Sequence, residues 1–208
     1  MSPLLRRLAL TSLIANVAIV VTGGAVRLTG SGMGCPTWPR CTDASYTATR
    51  EMGVHGAIEF GNRLLSIAVG LIAVALVLVA WRARRRGPSA LLGYAAAVLA
   101  LVVAQGVVGG ISVRVHLDPW VVGAHFLLSM VLLALGYALW RRSAEASAPV
   151  ADPSVPPSAV PGPLRSLTWV LAAASFLVLV AGTVVTGGGP HSGDPEAGRN
   201  GLDPETVS

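Results

Sequence analysis

The chain has 208 residues, 53% of them hydrophobic and 12% charged, with a mean hydropathy of +0.66; this balance excludes an ordinary soluble domain and points to an integral membrane protein. The formal net charge is +5, from 15 basic and 10 acidic residues. Every basic residue is an arginine, and most flank apolar runs, so the excess is explained without a nucleic-acid partner.

Five apolar segments are long enough to span a bilayer: Leu8–Val26, Val54–Ala80, Ala90–Ile111, Trp120–Trp140 and Leu167–Thr186. Lipid offers backbone amides no partner, so all five are expected to be helices. The expected fold class is an all-α integral membrane protein, with an N-terminal four-helix transmembrane bundle and a fifth transmembrane helix that begins a second, incomplete bundle. Residues 1–142 form the bundle, 143–165 a Pro/Ala-rich linker, and 166–208 the fifth helix and its tail. Nine arginines (Arg6, Arg7, Arg82, Arg84, Arg85, Arg86, Arg141, Arg142 and Arg165) fall on alternate connections and mark one side as cytoplasmic. The protein is therefore expected in the cell membrane, with its N-terminus in and its C-terminal tail out. The first span is expected to stay attached, because no small-x-small cleavage site follows it.

After the first span comes a glycine-rich loop, Thr29-Gly-Ser-Gly-Met-Gly-Cys35-Pro-Thr-Trp38-Pro-Arg-Cys41, on the external side. Its two cysteines are the only ones in the chain. An oxidising compartment favours a disulfide between them, either as a staple on the loop or as a redox-active pair.

The second span opens with His55-Gly-Ala-Ile-Glu59-Phe-Gly-Asn62-Arg63. On a helix these four polar residues share one stripe, which cannot face lipid, so a pocket is the expected reading. A self-neutralising Glu59–Arg63 pair at i,i+4 is compatible with it. The third span ends in Gln105-Gly-Val-Val-Gly-Gly110. The spacing of Gly106 and Gly110 suits close helix packing or room for a flat ligand, and the Gln105 amide needs a partner on another helix. His116 reads as a loop residue. His125 lies about one and a half turns into the fourth span with no charged mate nearby, which leaves it as either an interhelical hydrogen-bonding group or a metal or heme ligand. The Pro/Ala-rich linker follows, then Gly182-Thr-Val-Val-Thr-Gly-Gly-Gly189, an echo of Gly24-Ala-Val-Arg-Leu-Thr-Gly-Ser-Gly32 that suggests an internal repeat. No sixth span follows, and the polypeptide is expected to be a fragment.

Taken in order, Thr-Gly-Ser-Gly-x-x-Cys-Pro-x-Trp-Pro-x-Cys, Ile58-Glu-Phe-Gly-Asn-Arg-Leu64, Gln105-Gly-x-x-Gly-Gly, Pro119-Trp-x-Val-x-x-His125 and Thr186-Gly-x-Gly-Pro-His-x-Gly-Asp194 resemble the heme A synthase family, across essentially the whole chain. The resemblance implies a fold of eight transmembrane helices in two similar four-helix bundles, of which this chain holds the first and the opening of the second. It implies an oxidoreductase that converts a methyl group of heme O into the formyl group of heme A by successive hydroxylation, for cytochrome oxidase. His125 matches a heme-liganding histidine, Glu59 an acidic residue important for the reaction, and Cys35 and Cys41 the external disulfide pair. Asn62 stands where many relatives carry a partner histidine, so the iron has one protein ligand here or takes His55 from two turns earlier. Arg63 is expected to contact a heme propionate or Glu59. Heme O is the implied substrate; a resident heme b belongs to helices beyond this chain. Heme O synthase and cytochrome oxidase assembly factors are the implied partners, besides membrane lipid, and self-association is left open. Three rival readings remain at this stage: a membrane heme-binding electron-transfer protein, a quinone-coupled thiol oxidoreductase and a purely structural assembly partner.

Overall fold

A computed structural model describes residues 3–84, 90–146, 161–189 and 197–202. Expectations that rest on Arg85, Arg86, the middle of the linker, His191 and Asp194 fall outside the described residues. Among those described there is no strand. The long helices are α1 (Pro3–Leu28), α2 (Gly53–Ala83), α3 (Ala90–Arg114), α4 (Pro119–Glu145) and α5 (Gly162–Gly188), with a short 3-10 turn at Arg50–Met52 leading into α2. All five are long and apolar enough to cross a membrane. Each runs past the apolar segment read from the sequence, because a helix of 25 residues or more is about 37 Å long at 1.5 Å per residue and outreaches a hydrocarbon core of about 30 Å. The overhanging turns carry the polar residues, such as Arg6 and Arg7 on α1 and Arg141 and Arg142 on α4.

Helix α1 packs on α2 and α4, and α3 packs on the same two, so the bundle is a ring with α2 and α4 on one diagonal. Helix α5 packs mainly against α4, with Arg27 of α1 donating to the Thr186 carbonyl at 3.5 Å. Gly123 on α4 seats Thr183 of α5, and Asn200 donates its side-chain amide to the Val184 carbonyl at 2.7 Å, tying the segment after α5 to that helix. Most of α5 is exposed, including Trp169, Leu171 and Val178.

The start of α4 is set locally. Asp118 Oδ1 accepts from the backbone N–H groups of Trp120 (3.0 Å) and Val121 (3.2 Å), and Pro119 supplies a preset φ at the first helical position. The preceding His116 and Leu117 turn the chain with φ of 52° and 59°. His116 is thus a turn residue, as its position in the sequence suggests.

Apolar packing is concentrated at one end of the ring. Leu5 and Ala9 of α1, Leu76 and Ala80 of α2, Leu91, Ala95 and Val98 of α3, and Leu132 and Leu139 of α4 form a single buried cluster. These positions are the beginnings of α1 and α3 and the ends of α2 and α4, the end bearing the arginine-rich turns. The opposite end carries the Cys35–Cys41 loop, and its buried positions are mainly small or polar: Gly56, Glu59, Gly110, Ser112 and Gly123. One half of the bundle is filled by side chains, while the other lacks an aliphatic core.

Candidate functional site

The loop between α1 and α2 folds onto the unfilled end. Cys35 and Cys41 are joined by a disulfide with Cα atoms 4.4 Å apart, and both are fully buried. Gly34 touches the His55 carbonyl so closely that a Cβ there would overlap it, which brings the loop backbone against the first turn of α2. On that turn the Cys35 N–H donates to Glu59 Oε2 at 2.6 Å. Arg63, one turn further on, spends all five of its N–H groups on this corner: Nε and Nη2 donate to Glu59 Oε1, Nη2 also to the Cys35 carbonyl, and Nη1 to the carbonyls of Thr37 and Arg40. Glu59 is 6% exposed. Of the four lone-pair positions on its carboxylate, Oε1 uses two and Oε2 one, so a single position on Oε2 stays open to another proton donor.

Trp38, at the tip of the same loop, lies flat on Gly110 of α3, where any side chain would collide with the indole. The Arg114 guanidinium stands 5.7 Å from the Trp38 ring and donates to its carbonyl at 3.2 Å. The loop therefore spans from α2 to α3 across the end of the bundle.

His125 projects from α4 against α3. The Cε1 edge of its ring rests on Gly109, where an added Cβ would stand 3.3 Å away. Its carbonyl accepts from Gln105 Nε2 at 3.2 Å and from Ser129 Oγ at 3.0 Å, and Gln105 Nε2 also donates to Ser129 Oγ at 2.6 Å. The imidazole makes no such bond: Nδ1 is buried without a partner in the protein, as is Gln105 Oε1. Among the described residues no group of three or more His, Cys, Asp or Glu is arranged to hold a metal ion.

The remaining members of the α2 stripe point elsewhere. The Thr22 hydroxyl of α1 donates to Asn62 Oδ1 at 2.7 Å, closing the α1–α2 seam. His55 is exposed; its Nδ1 pairs with the buried Ser31 hydroxyl at 2.9 Å, and it lines a cleft with Met33, Pro36 and Met52 of the loop side.

A family model described as cytochrome oxidase assembly protein, COX15-CtaA, matches residues 6–190. The chain belongs to this family. Within the cytochrome oxidase assembly family, its relatives include the heme A synthase of Geobacillus kaustophilus, 32% identical over 66% of this chain and 42% of that protein. The heme A synthase of Symbiobacterium thermophilum is 30% identical over 87% of this chain and 58% of its own length. That of Shewanella oneidensis is 26% identical over 69% and 47% respectively. The chain spans about half the length of the curated relatives it matches. No solved structure matches it.

In this member of the cytochrome oxidase assembly family the four polar residues of α2 do share one helix, but they divide their attention: Glu59 and Arg63 face the disulfide loop, Asn62 faces α1, and His55 sits out by Ser31. The i,i+4 pair is present, though neutralisation is only part of what Arg63 does. Gln105 finds its partner on α4, as a buried amide must. The Gly106/Gly110 spacing behaves differently from helix packing: Gly106 meets open space, Gly110 seats Trp38, and it is Gly109 that faces α4. Spacing alone does not fix which way a glycine pair is turned about its helix. Sequence reading also passed over Ser31, Trp38, Gly109, Thr22 and Ser129, whose importance comes from contacts across elements. Asn16 is a further case: it is 4% exposed in the middle of α1 and bonds to the Ser12 carbonyl at 2.8 Å. An amide inside an apolar span was the available signal.

Proposed function

We propose that this chain forms the substrate-binding bundle of a heme A synthase, an oxidoreductase that oxidises a methyl group of heme O to a formyl group. The observation carrying this reading is a division of labour at the unfilled end of the bundle: an acidic group held rigid on α2, and an unpartnered imidazole on the diagonal helix α4. The family match and the printed names of the relatives give the chemistry those groups are read against. A flat macrocycle needs room between helices, and the small buried residues at this end, Gly56, Gly110 and Gly123, are consistent with that need.

Carrying the ring methyl of heme O to a formyl group would take two successive two-electron hydroxylations, each adding the oxygen of one water and releasing two protons and two electrons to an acceptor from outside this chain, to a geminal diol that loses water. His125 would hold the iron. Asn62 is occupied by Thr22, and His55 lies seven residues from it, about 10 Å along the helix axis, so the iron takes one protein ligand from this chain. Glu59 accepts the proton that leaves the methyl, or opposes positive charge developing there, through its open Oε2 position. Arg63 and the Cys35 N–H fix the carboxylate so that no reorganisation is needed when charge appears. With every N–H of Arg63 engaged, a propionate contact would have to displace one of those bonds, and we assign Arg63 to the clamp. The Cys35–Cys41 disulfide secures the loop that carries the Cys35 N–H.

The arginine pattern supports an N-terminus on the cytoplasmic side, with the disulfide loop facing out. Heme O synthase and oxidase assembly factors are the corresponding source and destination of the heme. Product analysis tests the reading: membranes containing this bundle in the context of a full-length heme A synthase, given heme O, are extracted and their hemes resolved by mass. Heme A or a hydroxylated intermediate is expected, and Glu59→Gln should abolish it while heme stays bound. Bound heme O that is never oxidised would instead favour an electron-transfer role.

A further inference from the structure

We propose that Gln105 is a positioning residue for His125, its side-chain oxygen being the acceptor that holds the His125 Nδ1–H while Nε2 faces the iron. The inference rests on the reading of His125 as the heme ligand given above.

Buried side-chain atoms without a hydrogen-bond partner are rare in a folded protein. Among the described residues there are three: His125 Nδ1, Gln105 Oε1 and Trp140 Nε1. The Trp140 indole is at the far end of α4. The other two belong to neighbours on the α3–α4 interface: the His125 ring rests on Gly109, one turn beyond Gln105 on the same face of α3, and Gln105 itself bonds to the His125 backbone. One is an imidazole nitrogen and the other an amide oxygen, complementary in kind though not bonded to each other in this structure, so the pairing requires a small turn of the ring or the amide.

The orientation of the amide follows from its partners. The His125 carbonyl can only accept, and Ser129 Oγ gives its hydrogen to that same carbonyl, so both require a donor from Gln105. The amide nitrogen must therefore point to α4, which leaves the oxygen as the free end. A neutral imidazole that ligates through Nε2 carries its hydrogen on Nδ1, and metal-bound histidines almost always hand that hydrogen to a carbonyl or carboxylate. Ser129 completes the device by anchoring the amide without competing for its oxygen. Gly109 leaves space for the ring to settle.

The test uses the full chain in detergent, titrated with hemin (ferric protoporphyrin IX), as wild type, Gln105→Leu, Gln105→Glu and His125→Ala. Soret absorbance gives affinity, and a redox titration gives the iron midpoint potential. Wild type is expected to bind with a His125-dependent Soret band. Gln105→Leu should weaken binding 10- to 100-fold and move the midpoint to more positive values, since the imidazole becomes a poorer donor. Gln105→Glu, near in shape but anionic, loses the donor to the His125 carbonyl and should also weaken binding, yet should move the midpoint the opposite way. Opposite shifts support the assignment; equal midpoints, or shifts of one sign, overturn it even if Gln105→Leu binds poorly. If Gln105→Leu does not fold, the sign of the Gln105→Glu shift decides alone. Absence of any His125-dependent band in the wild type overturns the heme reading and this inference with it, a result distinct from normal binding that ignores Gln105.

Discussion

Replacing Arg63 with leucine removes the one side chain that touches both Glu59 and the disulfide loop. The carboxylate left behind has a side chain only 8% exposed, and the carbonyls of Cys35, Thr37 and Arg40 lose their donor together. Breaking a buried pair from one side costs about 3–5 kcal/mol, because an uncompensated charge stays behind. Since Arg63 itself is 19% exposed, the lower figure applies, and Arg63→Leu should lower unfolding free energy by about 3 kcal/mol. The same change made in Glu59→Gln protein should cost only about 1–2 kcal/mol, that of the remaining hydrogen bonds. The assay is a double-mutant cycle by reversible denaturation in detergent, with trypsin cleavage at the exposed Arg40 and Arg50 as a measure of loop release. Equal costs in the two backgrounds, within about 0.5 kcal/mol, or cleavage no faster than in wild type, would show that the guanidinium does not couple the acid to the loop.

Three further outcomes are expected. Gly109→Val should displace the His125 ring and weaken hemin binding measured by Soret titration, whereas Gly106→Val, facing open space, should bind like wild type. Cys35→Ser with Cys41→Ser should lower stability by about 2 kcal/mol for a closed loop this short, read by denaturant titration. It should also slow heme O oxidation, because the N–H at position 35 is no longer held on Glu59. Asn62→His should leave the electron paramagnetic resonance spectrum of bound ferric heme unchanged, because position 62 faces Thr22 of α1; conversion to a six-coordinate low-spin form would refute that placement.

The five helices were legible because apolar runs of membrane length have few alternatives, and Glu59, Arg63 and His125 stood out because ionisable groups in such runs are costly. What could not be read was partnership. Nothing local says that Arg63 serves three loop carbonyls, that Trp38 reaches Gly110 some seventy residues later, or that Asn62 is taken by Thr22. These pairings depend on how a glycine-rich loop folds back, and its composition grants it freedom without specifying a path. The glycines of α3 teach the same lesson: three lie within five residues, and helix rotation alone assigns them to open space outside the bundle, histidine and tryptophan.

The aliphatic cluster that joins Leu5, Leu76, Val98 and Leu139 sits away from every residue proposed to handle the ligand. Cohesion and chemistry are thereby given to different ends of the same four rods. Outside the Arg63 clamp and the disulfide, substitutions at the mouth can alter what is admitted without loosening the grip that keeps the rods together.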